Sequence, residues 1–374
     1  MKILILNTTE RTGGAAIAAS RLAHALRQEG AEVEMACRRG KGPFYWERLR
    51  IFLANGLSKR GLWQVDIANC GEDITKTRAF QEADVVHLHW VNQGFLSLAG
   101  LERILKSGKR IIWTLHDQWP YAGICHYAED CTRFHSHCHH CPQLMRPAAR
   151  DLSCKVFEAK RRIYAQADIT FVGCSQWIAD EARRSALTQG HRIVSIPNAI
   201  NHSVFRPMPK AEARRRFGLP GEGKMVLFIC QKVTDERKGM RYLEGAMKEL
   251  PEVRVVRVGN GGDFEIHDEA TMAAMYAAAD VFVTPSLQDN LPNTIVEAMS
   301  CGTPCVGFRV GGIPEMIHHQ RDGYVARYRD AHDLAEGIRY VLSHPQLTEA
   351  ATQYAHATYN EHRVAQLYLS EYER

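Results

Sequence analysis

The stretch KILILNTTERTGGAAIAASRLAHALRQ, residues 2–28, decides the class of fold. It begins with a short apolar run, Lys2-Ile-Leu-Ile-Leu6, and continues through a polar loop from Asn7 to Gly14. An alanine-rich segment follows from Ala15 to Gln28, with apolar residues at helical spacing and a stop signal at Gly30. The stretch therefore predicts a strand, a loop and a helix in that order.

The same alternation continues along the chain. Further strands are predicted at residues 31–36, 84–88, 110–115 and 169–174, and the pattern restarts after residue 207 with strands at 225–230, 253–258, 281–284 and 304–306. A helix is predicted at 240–249 and a last helical stretch at about 350–372, while the segment from Pro197 to Pro207 is the predicted hinge. Strands interleaved with helices favour parallel sheets, so the sequence predicts an α/β protein with two Rossmann-like halves.

Composition excludes several classes of protein. A length of 374 residues favours two domains, and 45% hydrophobic with 24% charged residues is typical of a globular chain rather than a disordered one. The net charge of +5 is too small to demand nucleic acid but suits an anionic ligand. The apolar start is too short for a signal peptide, and no run approaches 18 apolar residues, so we expect a cytoplasmic protein.

Four of the eleven cysteines lie close together with several histidines. An odd count in a long chain without an export signal argues against a disulfide scaffold. Thiolates are preferred ligands of tetrahedral zinc, and Cys138 and Cys141 have the spacing of a zinc knuckle. The predicted structural metal ligands are Cys125, Cys131, Cys138 and Cys141. Reduced cysteines in a partly buried loop are the alternative.

A pair of carboxylates flanks a predicted junction between a loop and a helix. Asp289 and Glu297 are eight positions apart in DNLPNTIVE, which AMSCGTP follows. If a helix begins near Asn293, Glu297 lies in its first turns, and the amides of Asn290 and Leu291 can donate to hydroxyl groups. This suggests a sugar-nucleotide site, although a surface acid and an ordinary helical glutamate are the better explanation of the spacing alone.

Several motifs occur in a characteristic order. They are Thr12-Gly-Gly-Ala15, Asp84-Val-Val-His-Leu-His-Trp90, Thr114-Leu-His-Asp117, Pro197-Asn198, Arg237-Lys-Gly239, and Asp289 to Glu297 with Gly302-Thr-Pro304. Together they resemble the retaining GT-B glycosyltransferases of the glycosyl transferases group 1 type, family 4. The resemblance implies two Rossmann-like domains facing a central cleft. They are an acceptor-side domain at 1–200 with a Cys/His-rich insertion at 123–145, a nucleotide-sugar domain at 201–355, and a C-terminal helix at 356–374 that packs back on the first.

The resemblance also implies roles for individual residues. Lys238 and Lys232 would face the diphosphate of the donor, with Lys232 standing where the family usually has arginine. Gly13 and Gly14 would let the backbone approach an anion at the start of a helix. No catalytic metal is expected, because the lysines supply the positive charge.

Three further residues complete the predicted site. By the same resemblance Glu297 would accept hydrogen bonds from the ribose, and Asp289 would accept them from the transferred sugar. The family usually has glutamate at the position of Asp289, so the motif does not identify the donor sugar of this chain. His116 would lie near the reacting sugar and orient a hydroxyl group. The predicted catalytic residues are thus His116, Lys238 and Asp289.

The expected activity is transfer of a sugar from a nucleoside diphosphate sugar to a glycan or lipid-linked saccharide, in cell-surface polysaccharide biosynthesis. A sugar-nucleotide epimerase of the same architecture is one alternative. A zinc-dependent nucleic-acid-binding protein is another, although the basic residues form no single stripe and no nucleic-acid partner is expected.

Residues 38–63 interleave basic and aromatic side chains, as in Phe44-Tyr-Trp46 and Lys59-Arg-Gly-Leu-Trp63. This composition suits peripheral contact with the inner face of a membrane that carries a lipid-linked acceptor. A solvated helix at the edge of the domain is the alternative.

Overall fold

The computed structural model describes residues 1–374, which divide into two units. Unit 1 comprises Met1–Pro197 and Val364–Arg374, and unit 2 comprises Asn198–Arg363. Each unit has its own parallel sheet, because apolar strands alternate with helices that cover them. Both units are therefore Rossmann-like, as the periodicity predicts.

The sheet of unit 1 has six strands in the order β2-β1-β3-β4-β5-β6. All neighbours are parallel, and Lys2 of β1 pairs with Glu32 of β2. The strands are β1 (Lys2–Leu6), β2 (Glu32–Ala36), β3 (Val85–Leu88), β4 (Arg110–Leu115), β5 (Ile169–Gly173) and β6 (Arg192–Ser195). The helices are α1 (Gly14–Gln28), α2 (Gly42–Ala54), α3 (Arg78–Glu82), α4 (Leu98–Leu105), α5 (Leu152–Tyr164) and α6 (Gln176–Arg184).

An aromatic cluster fills the core of unit 1. Trp113 on β4 stacks on Phe171 of β5 with ring centroids 6.0 Å apart, and Tyr164 of α5 meets Trp113 edge-on. All three side chains are buried, and large aromatic side chains contribute most of the apolar area that such a core removes from water.

The sheet of unit 2 has five parallel strands in the order β11-β10-β9-β7-β8. They are β7 (Met225–Lys232), β8 (Arg254–Asn260), β9 (Val281–Thr284), β10 (Cys305–Phe308) and β11 (Gly323–Ala326). The helices of this unit are α7 (Lys210–Arg216), α8 (Met240–Met247), α9 (Glu269–Ala278), α10 (Asn293–Ser300), α11 (Ile313–Met316), α12 (Ala331–Ser343) and α13 (Leu347–Thr358). The last helix, α14 (Glu361–Tyr372), begins in unit 2 and continues into unit 1.

The end of the chain differs from the prediction. The single helical stretch predicted at about 350–372 is two helices, α13 and α14, which are separated at Asn360. The Asn360 side chain accepts hydrogen bonds from the amides of His362 and Arg363, so it caps the start of α14. The residues of α14 from Val364 onward belong to unit 1.

Candidate functional site

The turn between β1 and α1 presents a glycine in a backbone conformation that other residues rarely adopt. Gly13 has φ 92° and precedes the first residue of α1, and no atom lies within 4 Å of a Cβ built on it. Gly13 and Gly14 are both exposed, so the amino end of α1 is open to solvent. This is the geometry in which backbone amides can approach an anion.

His116 follows β4 directly and lies beside a second histidine. Its Nε2 is 2.8 Å from Nδ1 of His89, which follows β3, and the two rings stack. Burial lowers the pKa of His116 to about 4. The imidazole is therefore neutral at pH 7, so it can orient a hydroxyl group by hydrogen bonding but carries no positive charge.

Asp117 is the centre of a buried polar network. Its Oδ2 accepts hydrogen bonds of 2.7 Å from Trp90 Nε1 and from Nδ1 of His126, whose Nε2 donates to Asp66. Burial acts to lower the pKa of His126, but Asp117 and Asp66 raise it to about 10, so this histidine is a cation between two carboxylates. Asp117 Oδ1 also accepts from the amide of Trp119. This network fixes the backbone next to His116.

The centre of the site in unit 2 is an ion pair. Lys238 Nζ lies 2.6 Å from Asp289 Oδ2, and the two side chains are 24% and 12% exposed. Burial acts to raise the pKa of Asp289, but Lys238 and then Arg237 hold it below its usual value. The Asp289 carboxylate is therefore charged at neutral pH.

Three loops at the carboxyl ends of neighbouring strands hold this ion pair. The loop after β9, residues 285–292, donates a hydrogen bond from the Leu287 amide to the carbonyl of Arg237 in the loop after β7. On its other side, the amide of Gly312 donates to the carbonyl of Asn290. Gly311 has φ 55°, and a Cβ there would lie 1.7 Å from the carbonyl oxygen of Asp289, so only glycine fits. Ligands of open parallel sheets bind at this edge.

Glu297 lies on α10, which begins at Asn293 as predicted. The Glu297 side chain is buried, and its Oε2 accepts a 2.7 Å hydrogen bond from Tyr276 of α9. Asn290 and Leu291 are also buried, just before the helix. The motif therefore does form a loop followed by a helix, with its two carboxylates at either end.

The comparisons with known proteins agree with this architecture. A family model described as Glycosyltransferase Family 4 matches residues 12–204, which is more than half of the chain. This chain belongs to glycosyltransferase family 4. A second model, Glycosyl transferases group 1, matches residues 223–344, the part that contains the Lys238–Asp289 pair.

Curated relatives of this family 4 chain have several activities. D-inositol 3-phosphate glycosyltransferase of Mycobacteroides abscessus is 30% identical over 45% of this chain and 46% of its own length. N-acetyl-alpha-D-glucosaminyl L-malate synthase of Bacillus anthracis is 24% identical over 48% of this chain and 52% of its own length. The chain thus spans about half the length of these relatives.

Solved structures share the fold over nearly the whole chain. Sucrose-phosphate synthase of Thermosynechococcus elongatus matches with a TM-score of 0.71 and 19% identity, covering 99% of this chain and 98% of that one. Anabaena HepE in complex with UDP-glucose matches with a TM-score of 0.64 and 16% identity over the same shares. The family 4 chain therefore has the α/β architecture of the GT-B fold, with two Rossmann-like domains.

The predicted site residues fall in both units. Lys238 and Asp289 form an ion pair in unit 2, which also contains Asn290, Leu291 and Glu297, whereas Gly13, Gly14 and His116 belong to unit 1. Lys232 ends β7 with an exposed side chain that makes no hydrogen bond or ion pair, so the structure does not join it to Lys238.

Sequence reasoning missed two partners of these residues. It did not single out Tyr276, which holds Glu297, or the pairing of His89 with His116. The stretch Asp84-Val-Val-His-Leu-His-Trp90 did contain a signal that points to His89. Both His87 and His89 are buried polar residues at the end of an otherwise apolar strand.

The four clustered cysteines line one small cavity in unit 1. Cys125, Cys138 and Cys141 are less than 10% exposed, and every cysteine in the chain is a free thiol. Burial raises the pKa of Cys138 to about 12 and that of Cys141 to about 11. No group of three or more His, Cys, Asp or Glu side chains is arranged to hold a metal ion as the side chains stand. The metal site stays a prediction.

Proposed function

We propose that this family 4 chain is a retaining glycosyltransferase. It transfers a sugar from a nucleoside diphosphate sugar to a glycan or lipid-linked saccharide in cell-surface polysaccharide biosynthesis. The observation that carries the proposal is the partly buried Lys238–Asp289 ion pair at the carboxyl edge of the unit 2 sheet, with Asp289 in the same motif as the start of α10. A cation and two carboxylates there suit a ligand that carries both a diphosphate and hydroxyl groups.

The charge that develops in the reaction explains these residue types. The bond between the anomeric carbon and the diphosphate oxygen breaks, so negative charge grows on the leaving group while the acceptor oxygen bonds to the same face of the sugar. Lys238 stabilises the leaving diphosphate, and the proton of the acceptor hydroxyl passes to a phosphate oxygen. Asp289 accepts hydrogen bonds from the sugar, and Glu297 accepts them from the ribose.

Unit 1 contributes neutral groups in this proposal. In unit 1 itself, the amides at Gly13 and Gly14 can donate to an anionic group, and His116 can orient a hydroxyl group without adding charge. Lys232, exposed at the end of β7, is the second cation for the diphosphate. The HepE complex with UDP-glucose supports a uridine diphosphate sugar as the first donor to test.

Calorimetric titration with UDP-, GDP- and ADP-sugars tests donor binding. We expect Lys238→Ala and Glu297→Ala each to weaken donor affinity by about 10- to 100-fold, since a charged hydrogen bond contributes about 1.5–3 kcal/mol. Lys248→Ala, an exposed lysine at the end of α8, is the matched control and should bind like the wild type. Unchanged donor affinity and unchanged turnover in both site variants would contradict the proposal.

The stereochemical outcome needs its own measurement. Proton NMR of the first product formed identifies the anomeric configuration, which should equal that of the donor sugar. An inverted product would contradict the retaining mechanism but not glycosyl transfer. Conversion of the donor to its epimer without any acceptor would instead indicate an epimerase.

We also propose that the surface around α2 contacts an anionic membrane at its inner face. Its exposed apolar side chains are Tyr45, Trp46, Leu49, Leu53, Leu57 and Trp63, and Trp46 and Trp63 are 49% and 62% exposed. Arg50 lies over the Trp46 ring at 5.4 Å, so basic and aromatic groups are adjacent. No helix is long and apolar enough to cross a bilayer.

Co-sedimentation with anionic liposomes tests this contact. The wild type should bind at low salt, and Trp46→Ser with Trp63→Ser should bind several-fold less, because interfacial binding scales with buried apolar area. Leu367→Ser, at an exposed apolar residue of α14, is the control. A wild type that stays in the supernatant at low salt would refute the contact.

A further inference from the structure

Four cysteines from a stretch of 17 residues line a single cavity in unit 1. Cys125 forms an isolated antiparallel bridge with Val65. Cys138 and Cys141 lie in the loop before α5. Gly123 also lines the cavity, and a Cβ built on it would lie 3.3 Å from Cys138 Sγ. The fold therefore gathers four thiols that the sequence separates by six, seven and three positions.

We propose that this cavity binds one zinc ion through the thiolates of Cys125, Cys131, Cys138 and Cys141. The cavity has a volume of about 20 Å³, and a cavity of about 10–15 Å³ already holds one water molecule, so a single ion fits. Four thiolates in tetrahedral geometry form a closed structural zinc site. The side chains do not converge on one point as they stand. Rotation about their Cα–Cβ bonds is the movement that we expect zinc binding to cause.

A buried lysine beside the cavity supports this proposal independently. Lys160 is fully buried, and its Nζ donates to the carbonyls of Trp119, Ala122 and Gly123. Its Nζ also lies 3.3 Å from the centre of the Trp119 ring, and no carboxylate is among these partners. Burial lowers the pKa of Lys160 to about 7, because a buried ammonium group without a counter-charge is costly. A zinc ion with four thiolates carries a net charge of −2 and supplies that counter-charge, and Arg133 at the cavity wall adds a second cation.

The proposed ion is structural, and it also connects to the predicted site of unit 1. Cys125 is followed by His126, which donates to Asp117 next to His116. Zinc at Cys125 would therefore fix the backbone that holds Asp117 in place, without contacting the reacting sugar.

Elemental analysis of the full chain purified under reducing conditions tests the site. We expect about one zinc per chain, and replacement by Co²⁺ should give the intense near-ultraviolet charge-transfer bands of thiolate ligands. Chelation should make four additional thiols reactive toward a thiol reagent. A metal-free folded chain with four reduced thiols at this position, or with disulfides there, would overturn the proposal.

Variants separate the ligands from other groups at the cavity. Cys138→Ser with Cys141→Ser should lose the zinc, whereas Cys37→Ser, at a half-buried thiol elsewhere in unit 1, should keep it. His139 also lines the cavity, and His139→Asn should keep the metal and the cobalt spectrum. Loss of zinc from His139→Asn, with zinc retained in Cys131→Ser, would overturn the four-thiolate ligand set. The wild-type metal content and spectrum decide the proposal even if the double variant does not fold.

Discussion

Asp289 and Glu297 show how a motif acquires its chemistry from residues outside it. Each carboxylate has a partner on another element, Lys238 after β7 and Tyr276 on α9. A sequence pattern identifies the two acids, because they share one short stretch with the start of α10. It does not identify Tyr276, which is 21 positions away from Glu297 and becomes its neighbour only when α9 packs beside α10.

We expect Tyr276→Phe to weaken donor binding by about 5- to 20-fold, because the substitution removes one hydrogen bond of about 1–2 kcal/mol to a buried carboxylate. The donor KM should rise while kcat changes little, since Tyr276 acts by holding Glu297. Tyr340→Phe, which also removes a hydroxyl group in unit 2, is the control. An unchanged donor KM in Tyr276→Phe would show that this hydrogen bond does not position Glu297.

The neutral His116 predicts a dependence of stability on pH. Its folded pKa of about 4 lies below the ordinary histidine value of about 6.5. Below pH 6.5 the unfolded chain therefore binds more protons than the folded chain, so stability falls as the pH decreases. Because of His116, the free energy of unfolding should be about 1–2 kcal/mol lower at pH 5 than at pH 7.5.

Urea unfolding at both pH values measures this effect. In His116→Gln the free energy of unfolding should decrease less between pH 7.5 and pH 5 than in the wild type. His24→Gln, at an exposed histidine of α1, should lose as much as the wild type. Equal pH dependence in all three proteins would mean that His116 titrates normally in the folded state.

At the scale of elements, most strands follow from apolar periodicity, and β1, β4 and β9 have the predicted bounds. Two edge strands escaped prediction, β6 and β11. β6 reads Arg-Ile-Val-Ser and is only partly buried, so its apolar signal is two residues long. The break between α13 and α14 was also missed, because helical spacing continues across the capping residue Asn360.

Gly311→Ala tests how the loops after β9 and β10 hold the site. A left-handed conformation costs a residue other than glycine about 1–2 kcal/mol, and the clash with the carbonyl of Asp289 adds to this. Gly218 has a similar φ of 63° but open space at its Cβ position, so Gly218→Ala carries the conformational cost alone. We expect Gly311→Ala to lower the unfolding free energy by at least about 1 kcal/mol more than Gly218→Ala.

Donor affinity should also fall in Gly311→Ala, because the displaced carbonyl belongs to Asp289. Calorimetry alongside urea unfolding separates the two effects. If both alanine variants match in stability and in affinity, the backbone contact between Gly311 and Asp289 is not a constraint on the site.

At the scale of the whole molecule, the return of α14 to unit 1 rests on specific contacts. The hydroxyl of Tyr372 lies 2.8 Å from Nδ1 of buried His87, and Arg192 forms two 2.8 Å hydrogen bonds with Glu371. The family resemblance implies a helix that packs back on the first domain. The sequence alone could not give these contacts, because they join positions about 180 to 285 residues apart.

We expect Tyr372→Phe to lower the unfolding free energy by about 1–3 kcal/mol, because His87 would keep a buried nitrogen without its partner. Tyr45→Phe, at a tyrosine that is 63% exposed, should be neutral. Urea unfolding followed by the fluorescence of the buried tryptophans of unit 1 reports the change. Equal stability of the two variants would show that this contact does not hold α14 in place.

The return of α14 also bears on the order in which the chain can fold during synthesis. Domains generally fold from the amino terminus as they leave the ribosome. Unit 1 needs Val364–Arg374, and these residues are translated only after all of unit 2, which spans Asn198–Arg363. The first unit to be made is therefore the last to be completed. Until these residues are translated, His87, Thr114 and Arg110 lack the hydrogen-bond partners that α14 provides in the folded chain.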